Sequence, residues 1–492
     1  MTELRKSGGK EWRETTHPAR LSTPLPDGAV QCHLSPRNCV IKPGRNGYCR
    51  VRKNENGRLV TLNYGKSVAM TEESIETEAV YHYAPGAAIL SMGNIGCMMH
   101  CEYCHNWRTS QARYVTDDVV HVYTPEEVVE EALARGIKVL SWTYNDPVVW
   151  HEFVLDTARL GKEHGLINLY KSAFFISMEG ASELVDVIDI FSVSVKSMDP
   201  KFYKKVTKGW LEPVLEATEY VYAKGRHVEI SNLVVTDAND APEETIKIAE
   251  WVLGSLGSEV PLHYVRFHPD YKYTHVGRTP IDRLESARKA ALDLGIQYCY
   301  LGNVYDSDAT NSRCPNCGDI VVRRYGLNAE AVGLSADSTC RGCGARLPFK
   351  LIAADQTEPE TSSVASPTTD ASMRHDHKWR GDVKAVHLEF KNQAPDAATA
   401  YVAVLGGEHD GQTLREVPVM GHRSFRVICC KSWPDDIGIS VSHPEHVQVD
   451  YFDVYDRAHF PTASVDVAEP VRDATPGPIF RRASQVVADA NS

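Results

Sequence analysis

Three cysteines in one short stretch constrain this chain more than any other feature of its sequence. Cys97, Cys101 and Cys104 follow the pattern C-x3-C-x2-C, and Tyr103 stands directly before the last cysteine. Thiolates at this spacing can hold three irons of a [4Fe–4S] cluster and leave the fourth iron without a protein ligand. Such an open iron can chelate the amino and carboxylate groups of S-adenosylmethionine (SAM) and pass an electron into its sulfonium. The cofactor then supplies a 5′-deoxyadenosyl radical that abstracts hydrogen, while the protein positions the reactants.

A structural zinc loop is the alternative interpretation of this motif, with His100 or His105 as the fourth ligand. Cysteine pairs at C-x2-C spacing occur in metal sites of both kinds. The full spacing favours the cluster, and the sequence around it strengthens that preference.

Length and charge limit the classes of protein to which the chain can belong. Its 492 residues allow two to four domains at roughly 100–200 residues each. The net charge of −12, from 53 basic and 65 acidic residues, argues against a nucleic-acid-binding surface. No apolar run reaches the roughly 18 residues of a membrane span, and residues 1–20 lack a signal-peptide core. We therefore expect a cytoplasmic protein, in which 13 cysteines indicate metal or redox use rather than disulfides.

Residues 85–308 alternate seven predicted strands with helical stretches, most of which stop at a glycine. Such alternation predicts an α/β fold with a parallel sheet, most simply a full or partial barrel. Chemistry in these barrels sits at the carboxyl ends of the strands, and the cysteine loop follows the first predicted strand. Four further polar candidates lie in or near strand ends: Asn145, Lys196, Asn232 and His268.

Residues 309–350 carry two C-x2-C pairs separated by twenty-two residues. A glycine follows each pair, which suits the tight turn that wraps a metal ion. The pattern predicts a zinc ribbon with a structural role, and a rubredoxin-like iron site is the rarer alternative. The predicted ligands are Cys314, Cys317, Cys340 and Cys343.

The N-terminal segment, residues 1–84, holds Cys32, Cys39 and Cys49. Its cysteine-containing part is short and rich in Gly, Pro and Asn, so it needs a staple to fold. A metal-bound knuckle and plain buried cysteines are both open, and a second redox cluster is a third interpretation. Ser35 stands where the partner of a C-x2-C pair is expected.

The rest of the chain divides by composition. Residues 351–378 are rich in Thr, Ser, Pro and acidic residues, which marks a linker. Six short β-type runs separated by turn residues then predict an all-β accessory module at 379–462, most simply a small sandwich. We expect residues 463–492 to be a disordered tail and residues 1–30 to be loosely structured.

Several stretches of residues 31–350 match a known family together. The loop from Gly96 to Trp107 matches its cluster loop, and Thr143-Tyr144-Asn145-Asp146-Pro147 matches its T-Y-N-E-P motif. The chain resembles the radical SAM enzyme of the AmmeMemoRadiSam system, within the pyruvate formate-lyase-activating-enzyme-like group. The other matching stretches are Cys39–Tyr64, Leu211–Leu215, Glu229–Leu233, Arg266–Tyr271, Gly302–Val304 and the terminal zinc ribbon.

The resemblance implies a partial (β/α)6 barrel with a [4Fe–4S] cluster and SAM at its mouth. It implies that Cys97, Cys101 and Cys104 ligate the cluster. The cofactor-binding residues that it implies are Tyr103 beside the adenine, Asn145 and Asp146 at the methionyl amino group, Lys196 near the carboxylate, and Asn232 and His268 against SAM or the substrate.

The sequence departs from the family pattern at three positions. Asp146 replaces a glutamate, so its carboxylate reaches a methylene less far. Ser194 replaces the acidic residue of a D-x-K motif that ends in Lys196, which changes the hydrogen bonding there. Ser35 replaces a cysteine, so a four-thiolate N-terminal site cannot form unless His33 or another group substitutes.

These features predict an enzyme that cleaves SAM reductively and abstracts hydrogen from an unidentified substrate. A flavodoxin or ferredoxin would reduce the cluster. The substrate is either a protein partner, activated by forming a glycyl radical, or a small metabolite or peptide. The alternative of another class is a non-catalytic zinc-binding interaction protein, with zinc at every cysteine site.

Overall fold

The computed structural model describes residues 12–304 and 308–352, and it describes the backbone of six strands between residues 385 and 453. The expected linker beyond residue 352 and the expected tail at 463–492 lie outside the described residues. No helix in these described ranges combines the length and the apolar character that a membrane span requires.

Two compact units make up the chain. The first comprises residues 5–69 and 74–352, and the second comprises residues 1–4, 70–73 and 353–492. The finer division into six domains, made from the sequence, stays a prediction.

Seven parallel strands form the sheet of the first unit, and their order in the sheet is their order in the chain. Among the described residues no hydrogen bonds join the last strand to the first, so the barrel is partial. The predicted α/β fold is confirmed, with one strand more than a (β/α)6 pattern has. The strands are β1 (Ala88–Gly93), β2 (Val139–Thr143), β3 (Ile167–Ser172), β4 (Ile190–Ser194), β5 (His227–Val234), β6 (Leu262–Arg266) and β7 (Cys299–Gly302).

One longer helix lies in each connection between successive strands. The first shows why these helices begin and end where they do. Thr124 accepts a hydrogen bond from the main-chain N–H of Glu127, whose carboxylate accepts one from the N–H of Thr124. Gly136, at φ +66°, lets the chain leave the helix. The helices are α1 (Pro125–Ala134), α2 (His151–Glu163), α3 (Met178–Val185), α4 (Glu212–Ala223), α5 (Pro242–Trp251) and α6 (Ile281–Leu294).

Residues 75–84, here called the plug, close the amino-terminal end of the barrel. Ile75, Val80 and Ala84 belong to one buried cluster with apolar side chains from β1 to β4. The main-chain N–H groups of Tyr81 and His82 donate to the carboxylate of a residue on β5 over 2.8–3.0 Å. The carboxyl end of the sheet is therefore the end available for a site.

The ribbon, residues 312–349, packs against the plug. The ring of Phe349 stacks on His82 with centroids 4.0 Å apart. Arg324 donates to the main-chain oxygen of Tyr81 over 2.7 Å. Plug and ribbon thus form one continuous structure at this end of the barrel. The antiparallel strands of the ribbon are Ser312–Arg313, Ile320–Tyr325 and Asn328–Glu330.

The residues before the plug form small antiparallel sheets. One contains His17–Pro18, Arg58–Thr61 and Arg52–Glu55, and the other contains Ser22–Pro24, Val30–Cys32 and Val40–Ile41. The expectation of a loose segment up to residue 30 is therefore wrong for its described part, residues 12–30. The other short elements are the strands Lys66–Ser67, Met70–Ser74 and His121–Val122 and the helical turns Pro26–Gly28, Ile75–Glu78, Trp107–Ser110, Ala112–Tyr114, Asp117–Val119, Pro147–Trp150, Pro200–Phe202, Tyr203–Thr207, Val252–Leu256 and Asp308–Thr310.

The described part of the second unit between residues 385 and 453 consists of the six strands expected in the accessory module, which confirms the all-β character of this part. All pairings among these six strands are antiparallel. They pair in two groups of three, in the order Ser424–Cys430, Ala385–Asn392 and Val447–Asp453 and in the order Thr413–Val419, Ala398–Leu405 and Asp436–Val441.

Candidate functional site

The cysteine loop leaves the carboxyl end of β1, as expected for a catalytic loop of such a barrel. Gly96 has φ +91°, and a Cβ there would lie 2.8 Å from a methyl group of Val51. Only glycine therefore suits the position before Cys97. The Cys97 sulfur accepts a hydrogen bond of 3.3 Å from the main-chain N–H of Met99, which turns the chain around this sulfur.

Main-chain hydrogen bonds hold the loop against the turn that follows β4. The N–H of His100 donates to the oxygen of Thr207, and the N–H of Glu102 donates to the oxygen of Val206, both over 3.1 Å. The ring of Tyr103 packs below the loop and is 4% exposed. Its neighbours are the rings of Phe202, Phe267 and Tyr273, with centroids 6.2–6.4 Å away.

The three thiols of the loop are spaced more widely than zinc would require. A tetrahedral zinc ion with bonds of about 2.3 Å holds its ligand sulfurs roughly 3.8 Å apart. Across the described ranges, only the four ribbon cysteines form a group of three or more metal-ligand atoms within 4.8 Å of one another. Cys97, Cys101 and Cys104 form no such group with each other, with His100 or with His105. The wider spacing suits a larger inorganic core.

The Thr143–Pro147 turn, at the carboxyl end of β2, is tied to the cysteine loop. Asn145 accepts a hydrogen bond of 3.1 Å from the Thr109 hydroxyl and donates to the main-chain oxygen of Asn94. Asn106 donates to the main-chain oxygen of Tyr144. The two segments that the resemblance assigns to the cluster and to SAM thus form one hydrogen-bonded unit.

The Asp146 carboxylate points into the protein rather than out of the turn. It is fully buried and accepts hydrogen bonds from the Ser172 hydroxyl at 2.7 Å and from the N–H groups of Ala173 at 3.0 Å and Val148 at 3.2 Å. Burial raises the pKa of Asp146 to about 6. Its side chain joins the ends of β2 and β3, so contact with a ligand here falls to the main chain.

Lys196 lies beside two of the three cysteines. Burial raises the pKa of Cys101 to about 12, and the ammonium of Lys196 acts in the opposite direction. The same cation opposes the rise in the pKa of Cys104, which also stems first from burial. Among the described residues the ammonium has no hydrogen-bond or ion-pair partner of its own. A fixed cation is therefore available next to the site.

Asn232 is fully buried at the carboxyl end of β5. Its amide donates to the main-chain oxygens of Val195 at 2.9 Å and Lys196 at 3.2 Å. Its side-chain oxygen has no partner within the described part of the chain. His268, two residues after β6, is half-buried. Burial lowers the pKa of His105, and the nearby His268 acts in the same direction. All predicted residues of this site therefore lie at the same end of the sheet.

Sequence reasoning missed charged groups inside the barrel. Glu78 of the plug accepts hydrogen bonds from Thr143 at 2.8 Å and Ser141 at 3.1 Å, and burial raises its pKa. Lys171 on β3 donates to the hydroxyls of Ser192 and Ser231, and burial lowers its pKa to about 8. The sequence did contain a signal for them: polar residues recur at alternate strand positions, where a parallel sheet usually has apolar residues.

The ribbon brings its four cysteines together. The sulfurs of Cys314 and Cys343 are 3.6 Å apart, and those of Cys317 and Cys340 are 3.7 Å apart. These values match the roughly 3.8 Å of a tetrahedral zinc–thiolate site. The group can therefore hold one metal ion.

Comparison with known proteins agrees with this geometry. Residues 94–252 match the radical SAM superfamily. The chain is 38% identical over 329 residues to an uncharacterized protein of Methanocaldococcus jannaschii, and the match covers 66% of this chain and 97% of that protein. A pyruvate formate-lyase-activating enzyme of Listeria monocytogenes is 22% identical over 214 residues, which cover 40% of this chain and 84% of that enzyme.

Among solved structures, a domain of a pyruvate-formate lyase-activating enzyme from Bacteroides vulgatus matches 33% of this chain and 98% of its own length, with a TM-score of 0.30 and 13% identity. The relative in Methanocaldococcus jannaschii is matched almost from end to end, and the superfamily match spans the cysteine loop and the Thr143–Pro147 turn. The chain therefore belongs to the radical SAM superfamily, whose members are enzymes that use a [4Fe–4S] cluster and SAM.

Proposed function

We propose that Cys97, Cys101 and Cys104 ligate the [4Fe–4S] cluster and that SAM lies beside it at the carboxyl ends of β2, β4 and β5. The carrying observation is that hydrogen bonds join the cysteine loop to the Thr143–Pro147 turn, beside the ammonium of Lys196, which has no partner among the described residues. Bound there, the cluster supplies the electron that cleaves SAM to methionine and a 5′-deoxyadenosyl radical, which abstracts hydrogen from a substrate.

Each residue around the cluster has a role in binding rather than in bond cleavage. Lys196 offers a cation to the methionyl carboxylate, a charge-assisted contact. Main-chain oxygens of the Thr143–Pro147 turn accept hydrogen bonds from the methionyl amino group of SAM. The side-chain oxygen of Asn232, which has no partner within the described residues, would accept a hydrogen bond from a hydroxyl or amino group of SAM or of the substrate. Tyr103 supplies an aromatic wall for the adenine, and His268 orients SAM or the substrate.

The test is production of 5′-deoxyadenosine by the reconstituted, reduced protein. We expect SAM to give 5′-deoxyadenosine only when a low-potential reductant is present, a role that a flavodoxin or ferredoxin fills in the cell. The substitution Cys101→Ala should abolish the product. Cys299→Ala, which removes a buried thiol on β7, is the matched control and should retain it. Full turnover by the Cys101→Ala protein would overturn the assignment.

The substrate is the finer part of the proposal. Relatives that include pyruvate formate-lyase-activating enzymes support activation of a protein partner through a glycyl radical as the second candidate. The motifs quoted above support assignment to the AmmeMemoRadiSam branch. A small metabolite or peptide is the other candidate substrate. An organic radical detected by electron paramagnetic resonance on a co-purified protein would favour the glycyl-radical candidate, and its absence during substrate-dependent turnover would favour a small substrate.

Zinc is the metal that we propose for the ribbon, because the spacing of its sulfurs fits a tetrahedral thiolate site. About one zinc per chain is expected in purified protein, and Cys340→Ser should remove it. We do not retain the alternative of a non-catalytic zinc-binding protein, because members of the superfamily are enzymes.

A further inference from the structure

We infer that the interior of the barrel binds the carboxylate of a small organic acid, the substrate, at Lys171 and Ser194. That the acid is the substrate rests on the proposed function, whereas carboxylate binding itself does not. Lys171 lies on β3 and Ser194 ends β4. The Lys171 ammonium donates to the hydroxyl of Ser231 on β5 over 2.9 Å, and the hydroxyls of Ser231 and Ser194 are 3.0 Å apart.

The inner face of the sheet is polar, where a parallel barrel is usually filled with branched apolar side chains. Strands β1, β2, β4 and β5 all contribute hydroxyl groups, and the hydrogen bonds of these groups to the plug or to one another show that they point inward. Buried polar groups in such number suit an interior that receives a polar ligand. The hydroxyls belong to Ser91, Ser141, Thr143, Ser192, Ser194 and Ser231.

The space beside Lys171 and Ser194 is reached from the carboxyl end of the barrel. Both residues are half-buried, although their side chains point inward. The plug closes the opposite end, where Ser192 and Glu229 are fully buried. The exposed surface of Lys171 and Ser194 therefore faces the mouth of the barrel, on the side where SAM is proposed to lie.

The hydrogen-bond donors that remain in this space favour an acceptor. An ammonium has three N–H donors, and Lys171 uses two of them, on Ser192 at 3.0 Å and on Ser231 at 2.9 Å. For its own hydrogen, Ser231 has a better acceptor in Ser194 at 3.0 Å than in the main-chain oxygen of Val193 at 3.5 Å. The hydroxyl hydrogen of Ser194 then has no acceptor among the described residues. One N–H and one O–H match the two oxygens of a carboxylate.

The charges around Lys171 favour an anion as well. Burial lowers the pKa of Lys171, the carboxylate of Glu78 opposes that effect, and the nearby ammonium of Lys196 adds to it. Neither Glu78 nor the more distant Glu229 forms an ion pair with Lys171 in the described part of the chain. Glu78 is occupied by hydroxyls of β2, and Glu229 by two histidines. Two ammonium groups thus face the interior without a carboxylate in contact with either.

The depth of this position indicates the size of the substrate. Ser194 and Lys196 are two positions apart, a distance of at most about 7 Å along the chain. A carboxylate at Ser194 is therefore held about one small molecule's length below the cation that is proposed for SAM. The carboxylate is an anchor and does not change in the reaction, so the abstracted hydrogen comes from a carbon of the same acid. Such an anchor fits a small acid better than a glycine within a folded protein partner.

Labelling of lysines tests the inference on the reconstituted, full-length protein. Cyanate carbamylates uncharged amines, and peptide mass spectrometry gives the labelled fraction of each lysine as a function of pH. With SAM present and at constant ionic strength, propionate should raise the pH of half-labelling of Lys171, because a bound carboxylate keeps the ammonium charged. The exposed Lys204 should be unaffected. Propionamide, which has nearly the same shape without the charge, should shift neither lysine.

Two results of this measurement would overturn the inference. One is a half-labelling pH of Lys171 that propionate does not change, or that propionamide raises equally. The other is a Lys171 that cyanate does not label at any pH, because the inference requires that small molecules reach this side chain.

Labelling with SAM alone separates the inference from the proposed function. SAM should slow the labelling of Lys196 more than that of Lys171. The opposite order would mean that the carboxylate of SAM itself occupies the position at Lys171, and it would overturn the inference. If SAM protects neither lysine while propionate still acts on Lys171, the proposed role of Lys196 fails and the carboxylate site stands.

Ser194 offers a variant that leaves Lys171 in place. Ser194→Ala removes one of the two donors, and a hydrogen bond to a charged acceptor contributes about tenfold or more to affinity. We therefore expect the variant to need about tenfold more propionate for the same shift of Lys171. Ser182→Ala, at an exposed serine of α3, is the matched control. Equal propionate dependence in the Ser194→Ala and unaltered proteins would overturn the inference.

Discussion

The side-chain amide of Asn106 donates a hydrogen bond of 2.7 Å to the main-chain oxygen of Tyr144. This contact joins the end of the cysteine loop to the turn whose oxygens are proposed to receive SAM. Tyr144 has φ +68°, a conformation that most residues adopt only when their surroundings hold them in it. The hydrogen bond from Asn106 is part of that support.

Asn106→Ala should therefore weaken SAM binding without removing the cluster. Loss of a partly buried donor that leaves an oxygen unpaired costs about 1–3 kcal/mol, so we expect the Kd for SAM to rise by about 5- to 150-fold. Equilibrium dialysis with labelled SAM measures this, and iron content is the control. An unchanged Kd would mean that the turn holds its shape without this hydrogen bond.

Lys196→Ala should also weaken SAM binding, for an electrostatic reason. The ammonium has no partner among the described residues and faces the site. Loss of a charge-assisted contact of about 1.5–3 kcal/mol predicts at least a tenfold rise in Kd. Lys196→Arg should recover part of the affinity, and Lys204→Ala, an exposed lysine, is the control. Equal losses in the alanine and arginine variants, with reduced iron content, would point to a role in folding instead.

Asp146 should give the unfolding free energy a pH dependence of its own. Its folded-state pKa of about 6 is above the ordinary value, so the folded protein binds more protons than the unfolded chain between about pH 4 and pH 6. Stability should therefore fall as the pH rises through that window, by on the order of 3 kcal/mol from this group.

Asp146→Asn should remove that slope. Urea unfolding at several pH values measures it as the difference between the two proteins. Asp293→Asn, at an exposed carboxylate of α6, is the control that should keep the slope of the unaltered protein. The prediction would be contradicted if the unfolding free energies of the Asp146→Asn protein and the unaltered protein changed with pH in parallel.

Glu229 should matter for stability more than a surface carboxylate. Its oxygens accept hydrogen bonds from the rings of His227 at 2.9 Å and His263 at 2.8 Å, besides those from the plug. Burial opposes ionisation, but these donors together hold the pKa of Glu229 well below its usual value. This contribution is present above the unfolded pKa and is lost as the pH falls through the folded one.

Glu229→Gln should accordingly lower the unfolding free energy at pH 7 by about 2–4 kcal/mol, because an amide turns two hydrogens toward donors. Denaturant unfolding measures the change, and the exposed Glu179→Gln is the matched control. The gap between the Glu229→Gln protein and the unaltered protein should narrow in acid. A gap that stays constant down to pH 3 would contradict this assignment of the charge.

The parallel sheet and the cysteine loop were predictable because their signals are local. Apolar strands alternate with helices that end at glycines such as Gly136, and Cys97, Cys101 and Cys104 lie within eight residues of one another. The pairing of His17–Pro18 with Arg58–Thr61 was not predictable, because two residues carry no period and the partner lies about forty positions away.

Side-chain direction was the other limit of sequence reasoning. The motif placed Asp146 at the SAM site largely through its main chain, but it gave no signal that the carboxylate turns inward to Ser172. Lys171 and Glu78 fall on a polar lining that only the assembled barrel brings together. A sequence orders such residues along the chain but does not state which side of a strand end a short side chain will occupy.

Strand β5 carries Glu229, which fastens the plug, and three positions later Asn232, whose side-chain oxygen lacks a partner in the described ranges. Three residues of a strand span roughly 10 Å, and a hydrogen-bonded strand is stiff over that length. Strand β5 therefore connects the plug at the amino-terminal end of the barrel rigidly to the candidate site at its carboxyl-terminal end. A small tilt of β5 that begins at Glu229 would displace Asn232 at the proposed SAM site, so residues that do not contact SAM would still influence its position.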